Sequence, residues 1–308
     1  MKKRTKIIIA VTLVFFISFI AIMGFIGNYF YDLALNPDSD KSIVFNNDKT
    51  ENNTDFDEIN TFFENQKYED RYIENDDLNL HAYDFKQNSD IYVIVVHGYI
   101  SEANQMGISA EHFFQAGYNV LAVDLRGHGS SDGDYIGMGW DDRKDIQAWI
   151  KELVKENSEY KIVLYGVSMG AATVMNTTGE KLPDNVKVAI EDCGYTSTWD
   201  IFSYQLDSIF SLPDHPFLDS ANIITQIRAG YDLKQGAIDQ LGKSKTPTLF
   251  IHGDKDTFVP FYMLDELYKE SSVEKEKLVI KGAGHAQSHL VNPKRYWKTV
   301  DNFIKKYL

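Results

Sequence analysis

The chain reads Ile-Val-Leu-Tyr at residues 162–165, Gly-Val-Ser-Met-Gly at 166–170 and Ala-Ala-Thr-Val-Met at 171–175. The first run predicts a strand and the third a helix. A G-x-S-x-G pattern between a strand and a helix is typical of a strained turn that exposes a serine hydroxyl, because flanking glycines let the backbone and the helix approach closely. The five residues alone recur by chance, so the strand and helix around them carry the inference. We predict that Ser168 is a catalytic nucleophile.

A serine hydroxyl is a poor nucleophile until a base accepts its proton, and the base needs an acid to orient it. After such a strand–helix turn, the acid and then the histidine come later in the chain. His285 follows the last predicted strand in the run Gly-Ala-Gly-His and is the predicted base. Residues 253–260, Gly-Asp-Lys-Asp-Thr-Phe-Val-Pro, follow the strand before it. The acid is therefore Asp254, Asp256 or, at the end of an earlier strand, Asp192.

Eight runs predict strands, and helical stretches separate most of them. The strands are expected at Tyr68–Glu74, Leu78–Phe85, Ile91–Val96, Asn119–Val123, Lys161–Tyr165, Val186–Ile190, Thr248–His252 and Lys277–Ile280. Helices are expected at Ala103–Ala116, Trp140–Glu156, Phe261–Ser271 and Arg295–Tyr307, and from Ser168 onward. This alternation predicts an α/β domain over residues 69–308, a mostly parallel sheet flanked by helices. Ligands bind such sheets at the carboxyl ends of the strands.

Five ordered motifs give the chain a resemblance to the α/β-hydrolase superfamily, particularly its serine aminopeptidase-like, monoglyceride-lipase-like and bacterial membrane-anchored esterase-like members. The motifs are His97-Gly98-Tyr99, Asp124-Leu125-Arg126-Gly127-His128-Gly129-Ser130, Gly166–Gly170, His252–Pro260 and Gly284-His285. The resemblance covers about residues 69–308 and implies the α/β-hydrolase fold. It also implies a triad of Ser168, Asp256 and His285, since the family pattern H-G-x-x-D-x-x-V-P puts the acid at Asp256 and leaves Asp254 as a turn residue.

The resemblance further implies an oxyanion hole built from the backbone N–H groups of Tyr99 and Met169. Several other polar residues of the motifs are interpreted as structural, because hydrogen-bonded networks commonly tie loops together. These are His97, Asp124, Arg126 and His128, while His289 is expected to be a bystander and Asp192 a hinge into an inserted segment.

The alternation of strands and helices breaks between Asp192 and Thr248, where the chain carries aromatic residues and helical fragments. We predict a cap at about residues 195–240, inserted over the sheet. Its aromatic residues are expected either to line an acyl pocket or to bury the cap against the sheet, the second being the more frequent role of such side chains. They are Tyr195, Trp199, Phe202, Tyr204 and Phe217.

The N-terminal residues predict a membrane anchor. Residues 1–6 form a basic stub with three lysines and one arginine, and Ile7–Gly27 is an apolar run without a charge. A helix of that length spans roughly 30 Å, the thickness of the hydrocarbon core of a bilayer. Since basic flanks stay cytoplasmic, the hydrolase domain is expected on the extracellular side. The alternative is a secreted protein after signal cleavage, but signal segments are shorter and end at small residues.

Residues 28–68 are polar and predict a spacer, with a short helix near Phe56–Phe63. The net charge of −14 argues against nucleic acid as a partner, because an acidic surface repels phosphates. The lone cysteine, Cys193, cannot form an internal disulfide. His285 and His289 lie four residues apart but lack the intervening glutamate of the zinc protease motif. We therefore expect neither a metal nor another cofactor.

These observations predict a serine hydrolase that cleaves a small-molecule or lipid-like ester through an acyl-enzyme. Two alternatives use the same triad, an acyltransferase and a peptidase that releases N-terminal residues. The peptidase needs an acidic group near the cap to hold the substrate amine, and the candidates are Glu191, Asp192, Asp200 and Asp207. A third alternative is a non-catalytic binding protein on the same scaffold, which has no physical need for all three triad groups.

Overall fold

Eight strands form the sheet at the centre of the computed structural model, which describes residues 3–45 and 61–308. The strands are β1 (Glu69–Asn75), β2 (Leu78–Phe85), β3 (Ile91–Val96), β4 (Asn119–Val123), β5 (Lys161–Val167), β6 (Val186–Asp192), β7 (Thr248–Gly253) and β8 (Lys275–Ile280). Their order is β1-β2-β4-β3-β5-β6-β7-β8. The pairs β1–β2 and β2–β4 are antiparallel, and the five other pairs are parallel. The prediction of a mostly parallel sheet is confirmed.

The helices follow the strands as the alternation predicts. They are α1 (Lys3–Leu35), α2 (Ser42–Phe45), α3 (Thr61–Asn65), α4 (Gly107–Gln115), α5 (Asp142–Glu156), α6 (Met169–Thr178), α7 (Thr198–Phe210), α8 (Asp214–Arg228), α9 (Ala237–Leu241), α10 (Tyr262–Glu270), α11 (Ser288–Val291) and α12 (Pro293–Tyr307), with a 3₁₀ turn at Ala103–Met106. The helix expected at Ala103–Ala116 is thus divided into this turn and α4. The helix expected from Trp140 begins at Asp142, and Ser168 precedes its helix.

The central strands are apolar along their whole length because both faces of the sheet are covered. Alternate residues of β3 enter two different cores, Tyr92 and Ile94 on one face and Val93 and Val95 on the other. All four side chains are fully buried. A strand covered on both faces shows a continuous run of β-branched residues instead of a polar alternation, which explains why β3 could be recognised in the sequence.

Helix α1 is longer than the predicted membrane span of Ile7–Gly27. It is 33 residues long, and it is the one helix in the described residues that is long and apolar enough to cross a bilayer. Its first part is exposed, as at Phe25, whose side chain is 77% exposed. Its last turns are packed, since Tyr31 and Leu35 are 3% and 1% exposed. Spacing of four residues puts Gly27, Tyr31 and Leu35 on one face of the helix.

This buried face of α1 packs on α8. A Cβ added at Gly27 would lie 2.5 Å from the carbonyl oxygen of Ser220, so only glycine permits the close approach of the two helices. Arg228 of α8 forms an ion pair of 2.6 Å with Asp32. The prediction that residues 28–35 belong to a polar spacer is therefore corrected: they continue the helix, because their apolar face finds a partner on α8.

The far end of the predicted spacer also packs on the domain. Helix α3 buries Phe62 and Phe63, whose rings lie 4.7 and 5.0 Å from the ring of Phe85 in β2. The helix predicted near Phe56–Phe63 falls partly on residues 46–60, which lie outside the described residues. Residues 61–65 thus belong to the packed structure.

The interval predicted as a cap, residues 195–240, lies between β6 and β7 and is helical. Helices α7 and α8 pack against each other, and α8 packs against α1. Helix α9 contacts α6 and α10 of the domain body instead. Helices α7 and α8 and the end of α1 form one helical layer. This layer covers the end of the sheet where β5 meets Ser168, because residues of all three helices line one cavity with Ser168.

Candidate active site

Ser168 occupies a strained turn between β5 and α6. Its φ of 57° and ψ of −118° are rare for a residue with a side chain and cost of order 1–3 kcal/mol. A Cβ added at Gly166 would lie 2.2 Å from the carbonyl oxygen of Gly170, and one added at Gly170 would lie 2.1 Å from that of Val96. Both glycines of the motif are thus required by the close packing of β5, α6 and β3.

Three side chains from three separate loops form one hydrogen-bonded row. His285 follows β8, and its Nε2 lies 2.8 Å from Oγ of Ser168. Its Nδ1 lies 2.8 Å from Oδ2 of Asp256, which follows β7. With the Nδ1 proton donated to the carboxylate, Nε2 presents its lone pair to the serine hydroxyl. In this tautomer Nε2 of His285 is placed to accept the proton of Ser168.

The carboxylate of Asp256 is held in a polar cage. Its Oδ1 accepts hydrogen bonds from the backbone N–H groups of Phe258 and Val259, at 2.9 and 2.8 Å. His252 lies 3.1 Å from Oδ2. Burial raises the pKa of Asp256, but the charge of His285 and the hydrogen bonds from His252 and His285 outweigh burial and hold that pKa below its usual value. Asp256 therefore stays ionised beside the imidazole.

The two other candidate acids have different partners. Oδ1 of Asp254 accepts a hydrogen bond of 2.6 Å from the backbone N–H of Gly282, which connects the loop after β7 to the loop after β8. Asp192 is fully buried, and burial raises its pKa to about 6. Its carbonyl oxygen accepts a hydrogen bond of 2.8 Å from the backbone N–H of Ser168. Asp192 thus supports the backbone of the serine turn.

Two backbone segments lie beside Ser168, the start of α6 and the segment that contains Gly98. Met169 is the first residue of α6, where backbone N–H groups have no partner inside the helix. Gly98 lies so close that a Cβ there would be 3.4 Å from Cβ of Ser168 and 3.8 Å from its Oγ. The next residue, Tyr99, donates its hydroxyl proton to the carbonyl oxygen of Ala34 in α1, at 2.7 Å.

Three further polar residues of the motifs stabilise loops. His97 Nδ1 lies 2.8 Å from the carbonyl oxygen of Gly98, and its Nε2 accepts from the backbone N–H of Leu125 at 3.0 Å. The Asp124 carboxylate accepts from the backbone N–H groups of Ala103 and Ser130 at 2.8 and 3.0 Å. Arg126 makes two bonds of 2.7 Å to Asp145.

His128 is buried and His289 is half-buried, and the loss of contact with water lowers the pKa of His128 to about 3 and that of His289 to about 4. Nδ1 of His128 bonds to the carbonyl oxygen of Arg126 at 3.0 Å. The ring of His289 packs 6.0 Å from that of Tyr296. Both imidazoles are therefore neutral parts of the packed interior.

An apolar cavity opens at Ser168. Its space is about 870 Å³ when the open solvent at its mouth is counted, and no Asp, Glu, Lys or Arg lines it among the described residues. Most of the walls come from α1 and from α7 and α8 of the cap, and Phe258 of the loop after β7 also contributes. Only a few polar side chains reach it, among them Tyr99 and Gln205, whose Nε2 donates to the carbonyl oxygen of Phe258 at 2.7 Å.

The aromatic residues singled out in the cap divide into two groups. Tyr195 and Phe202 line the cavity, whereas Trp199, Tyr204 and Phe217 lie elsewhere in the cap. Phe258 and the last turns of α1, which form one wall, were not predicted from the sequence to line the cavity. One feature of the sequence could have indicated that α1 continues and packs. Gly27, Tyr31 and Leu35 follow one another at intervals of four residues, past the end of the predicted membrane span.

Cys193, Asp256 and His285 bring three ligand-type atoms within 4.8 Å of one another. Both nitrogens of His285 are already engaged, one with Asp256 and the other with Ser168. Burial raises the pKa of the Cys193 thiol well above its ordinary value, so it stays protonated, while metals bind the thiolate. The group does not fit a metal centre.

The order of the strands and the strained serine turn between β5 and α6 are those of the α/β-hydrolase fold. Residues 87–192 match the family model described as serine aminopeptidase, S33. The uncharacterized protein YqkD of Bacillus subtilis (strain 168) is 28% identical over 69% of this chain and 70% of its own length. The α/β hydrolase domain-containing protein WAV2 of Arabidopsis thaliana is 26% identical, over 61% of each chain.

Solved structures agree with this assignment. The esterase Pf2001 of Pyrococcus furiosus matches with a TM-score of 0.63 and 25% identity, over 79% of this chain and 91% of its own. The α/β hydrolase GrgF of Penicillium sp. sh18 matches with a TM-score of 0.63 and 17% identity, over 78% and 99%. The second likeness concerns the fold alone.

Proposed function

We propose that the chain is a serine hydrolase that cleaves esters of apolar acyl groups through an acyl-enzyme. The observation that carries the proposal is the row of two 2.8 Å hydrogen bonds, from Ser168 through His285 to Asp256, at the edge of an apolar cavity. The similarity to the esterase Pf2001 of Pyrococcus furiosus supports the same reaction class.

In the proposed mechanism, Nε2 of His285 accepts the proton of Ser168 as Oγ attacks the acyl carbon. The N–H groups of Met169 and Tyr99 stabilise the oxyanion that forms. The imidazolium, stabilised by Asp256, gives its proton to the departing alcohol and leaves an acyl-serine. Water then attacks this ester with His285 again as base, and the carboxylic acid is released.

The cavity favours an ester over an N-terminal peptide as substrate. A substrate ammonium would need an acidic partner, and the candidates are engaged or remote from the cavity. Glu191 is fully buried and accepts from the backbone N–H of Gly194 at 3.0 Å. Asp200 accepts from Thr196 and Ser197 at 2.6 and 2.7 Å. Asp192 and Asp207 do not line the cavity either. An apolar acyl chain, in contrast, needs no charged partner.

We further propose that α1 anchors the enzyme in the cell membrane, with the catalytic domain outside. The exposed apolar surface of its first turns is costly in water, and the helix is long enough to cross a bilayer. The basic residues at positions 2–6 favour a cytoplasmic N-terminus.

The test is labelling of Ser168 by a fluorophosphonate probe, followed by hydrolysis of p-nitrophenyl esters of increasing chain length beside aminoacyl anilides. Ser168→Ala should abolish labelling and lower kcat by several orders of magnitude, because the attacking oxygen is lost. The exposed Ser158→Ala is the matched control and should behave as the unmutated chain. Labelling of Ser168→Ala, or faster cleavage of anilides than of esters, would contradict the proposal.

A further inference from the structure

The last turns of α1 enter the cavity that opens at Ser168. Phe30, Leu33, Ala34 and Leu35 belong to its lining. The ring of Phe30 packs edge-on against Phe210 of α7, with centroids 5.5 Å apart. The helix whose first turns form the apolar span therefore supplies one wall of the cavity.

Contacts along the last turns of α1, from Gly27 to Leu35, hold this wall in place. At its start, Gly27 packs directly against the backbone of Ser220. At its end, the carbonyl oxygen of Leu35 accepts a hydrogen bond of 2.8 Å from the backbone N–H of Ile136. Between them, the guanidinium of Arg228 lies 4.0 Å from the centroid of the Tyr31 ring. The segment is thus attached both to the cap and to the loop that follows β4.

Helix α1 also contacts a residue of the predicted oxyanion hole. The hydroxyl of Tyr99 donates to the carbonyl oxygen of Ala34, and Gly98 lies against Ser168. The side chain of Tyr99 therefore connects the segment beside the serine turn to α1. A short acyl group bound at Ser168 would stay beside Tyr99, whereas a longer chain that fills the cavity would reach Ala34 and Phe30.

We infer that α1 is a specificity-determining element: its last two turns close the acyl pocket and set the length of acyl chain that the enzyme accepts. This inference rests on the proposed ester hydrolysis and deepens it, because it assigns chain-length selectivity to residues of the anchoring helix. The substrate class is an ester whose acyl chain is long enough to contact that helix.

The test compares two alanine-to-phenylalanine substitutions in the same helix. Ala34→Phe adds a ring to the wall of the pocket, and Ala21→Phe adds the same ring to the exposed part of α1. The full chain, purified in detergent micelles, is assayed with p-nitrophenyl acetate and p-nitrophenyl dodecanoate. We expect Ala34→Phe to lower the ratio of kcat/KM for dodecanoate over acetate at least tenfold, and Ala21→Phe to leave the ratio unchanged.

A second variant makes the test independent of how well Ala34→Phe folds. Phe30→Ala removes a ring from the same wall, and we expect it to raise kcat/KM for hexadecanoate relative to octanoate at least threefold. Fluorophosphonate labelling of Ser168 reports whether the site is intact in each variant.

The outcomes separate the two proposals. If neither wall variant changes its ratio by more than a factor of two, or if Ala21→Phe changes the ratio as much as Ala34→Phe does, the inference about α1 is overturned and ester hydrolysis stands. If the unmutated chain hydrolyses no ester of any length, the proposed function fails instead.

Discussion

Asp256→Asn tests the proposed role of the acid most directly, because the hydrogen bonds around this side chain determine how the amide of an asparagine is oriented. Oδ1 of Asp256 accepts hydrogen bonds from two backbone N–H groups, those of Phe258 and Val259. An asparagine must keep its oxygen there, since its amide group cannot accept at that position. Its NH₂ group would then face Nδ1 of His285, where the carboxylate now accepts a proton at 2.8 Å.

The result is the wrong tautomer of the imidazole. With a donor facing Nδ1, that nitrogen must accept, and the ring proton moves to Nε2. Nε2 is the atom that faces Oγ of Ser168 at 2.8 Å, so it can no longer accept the serine proton. In serine proteases the equivalent change lowers kcat about 10⁴-fold, which corresponds to about 5.4 kcal/mol in the activation free energy. We expect a loss of that order.

The measurement is kcat/KM for p-nitrophenyl butyrate, together with the rate of fluorophosphonate labelling and the thermal unfolding midpoint. Asp254→Asn is the matched control. Its oxygen can still accept from the backbone N–H of Gly282, so we expect activity within a factor of about three of the unmutated chain. Equal activity of the two variants, or a greater loss in Asp254→Asn, would refute the assignment of Asp256 as the acid.

Two further predictions concern stability and topology. Burial raises the pKa of Asp142 to about 7, above an unfolded value of about 3.9, so the native state binds this proton more tightly and loses stability as pH rises from about 4 to 7. The thermal midpoint should therefore fall less between pH 5 and 7 in Asp142→Asn than in the unmutated chain, and equal falls would contradict this. Protease added to intact spheroplasts should degrade the hydrolase domain. Full protection would argue against an external domain, and a soluble product starting near residue 28 would indicate a cleaved signal.

The sequence predicted the sheet well because its signals are local. Each strand is a short run of residues that is either apolar or alternates between apolar and polar. Ser168, Asp256 and His285 follow strands whose ends meet at one edge of a parallel sheet. Ser168 and His285 lie 117 residues apart in the chain. Their meeting follows from the topology, which fixes where each strand ends. Choosing Asp256 over Asp254 needed the family pattern, because both follow the same strand.

The cavity walls were harder to predict because they depend on how helices pack. Phe202 and Tyr204 are two residues apart on α7, yet only Phe202 faces the cavity. The phase and tilt of a cap helix are set by its neighbours, and one of these neighbours is α1. The partner of Asp32, Arg228, lies 196 residues further along the chain. Local composition therefore could not predict that residues 28–35 dock.

Because α1 is one continuous helix, it restricts the space in which the enzyme works. A flexible spacer of residues 28–68, as the composition suggested, would have an end-to-end distance of about 35 Å. The helix replaces the first part of it with a rigid stalk, and Leu35 stands roughly 12 Å along the axis from Gly27. With α1 in a bilayer, the pocket keeps one height and one orientation above the lipid headgroups. The enzyme would then sample a thin layer of the membrane surface, and its rate would follow the number of substrate molecules per unit area instead of their concentration in the surrounding solution.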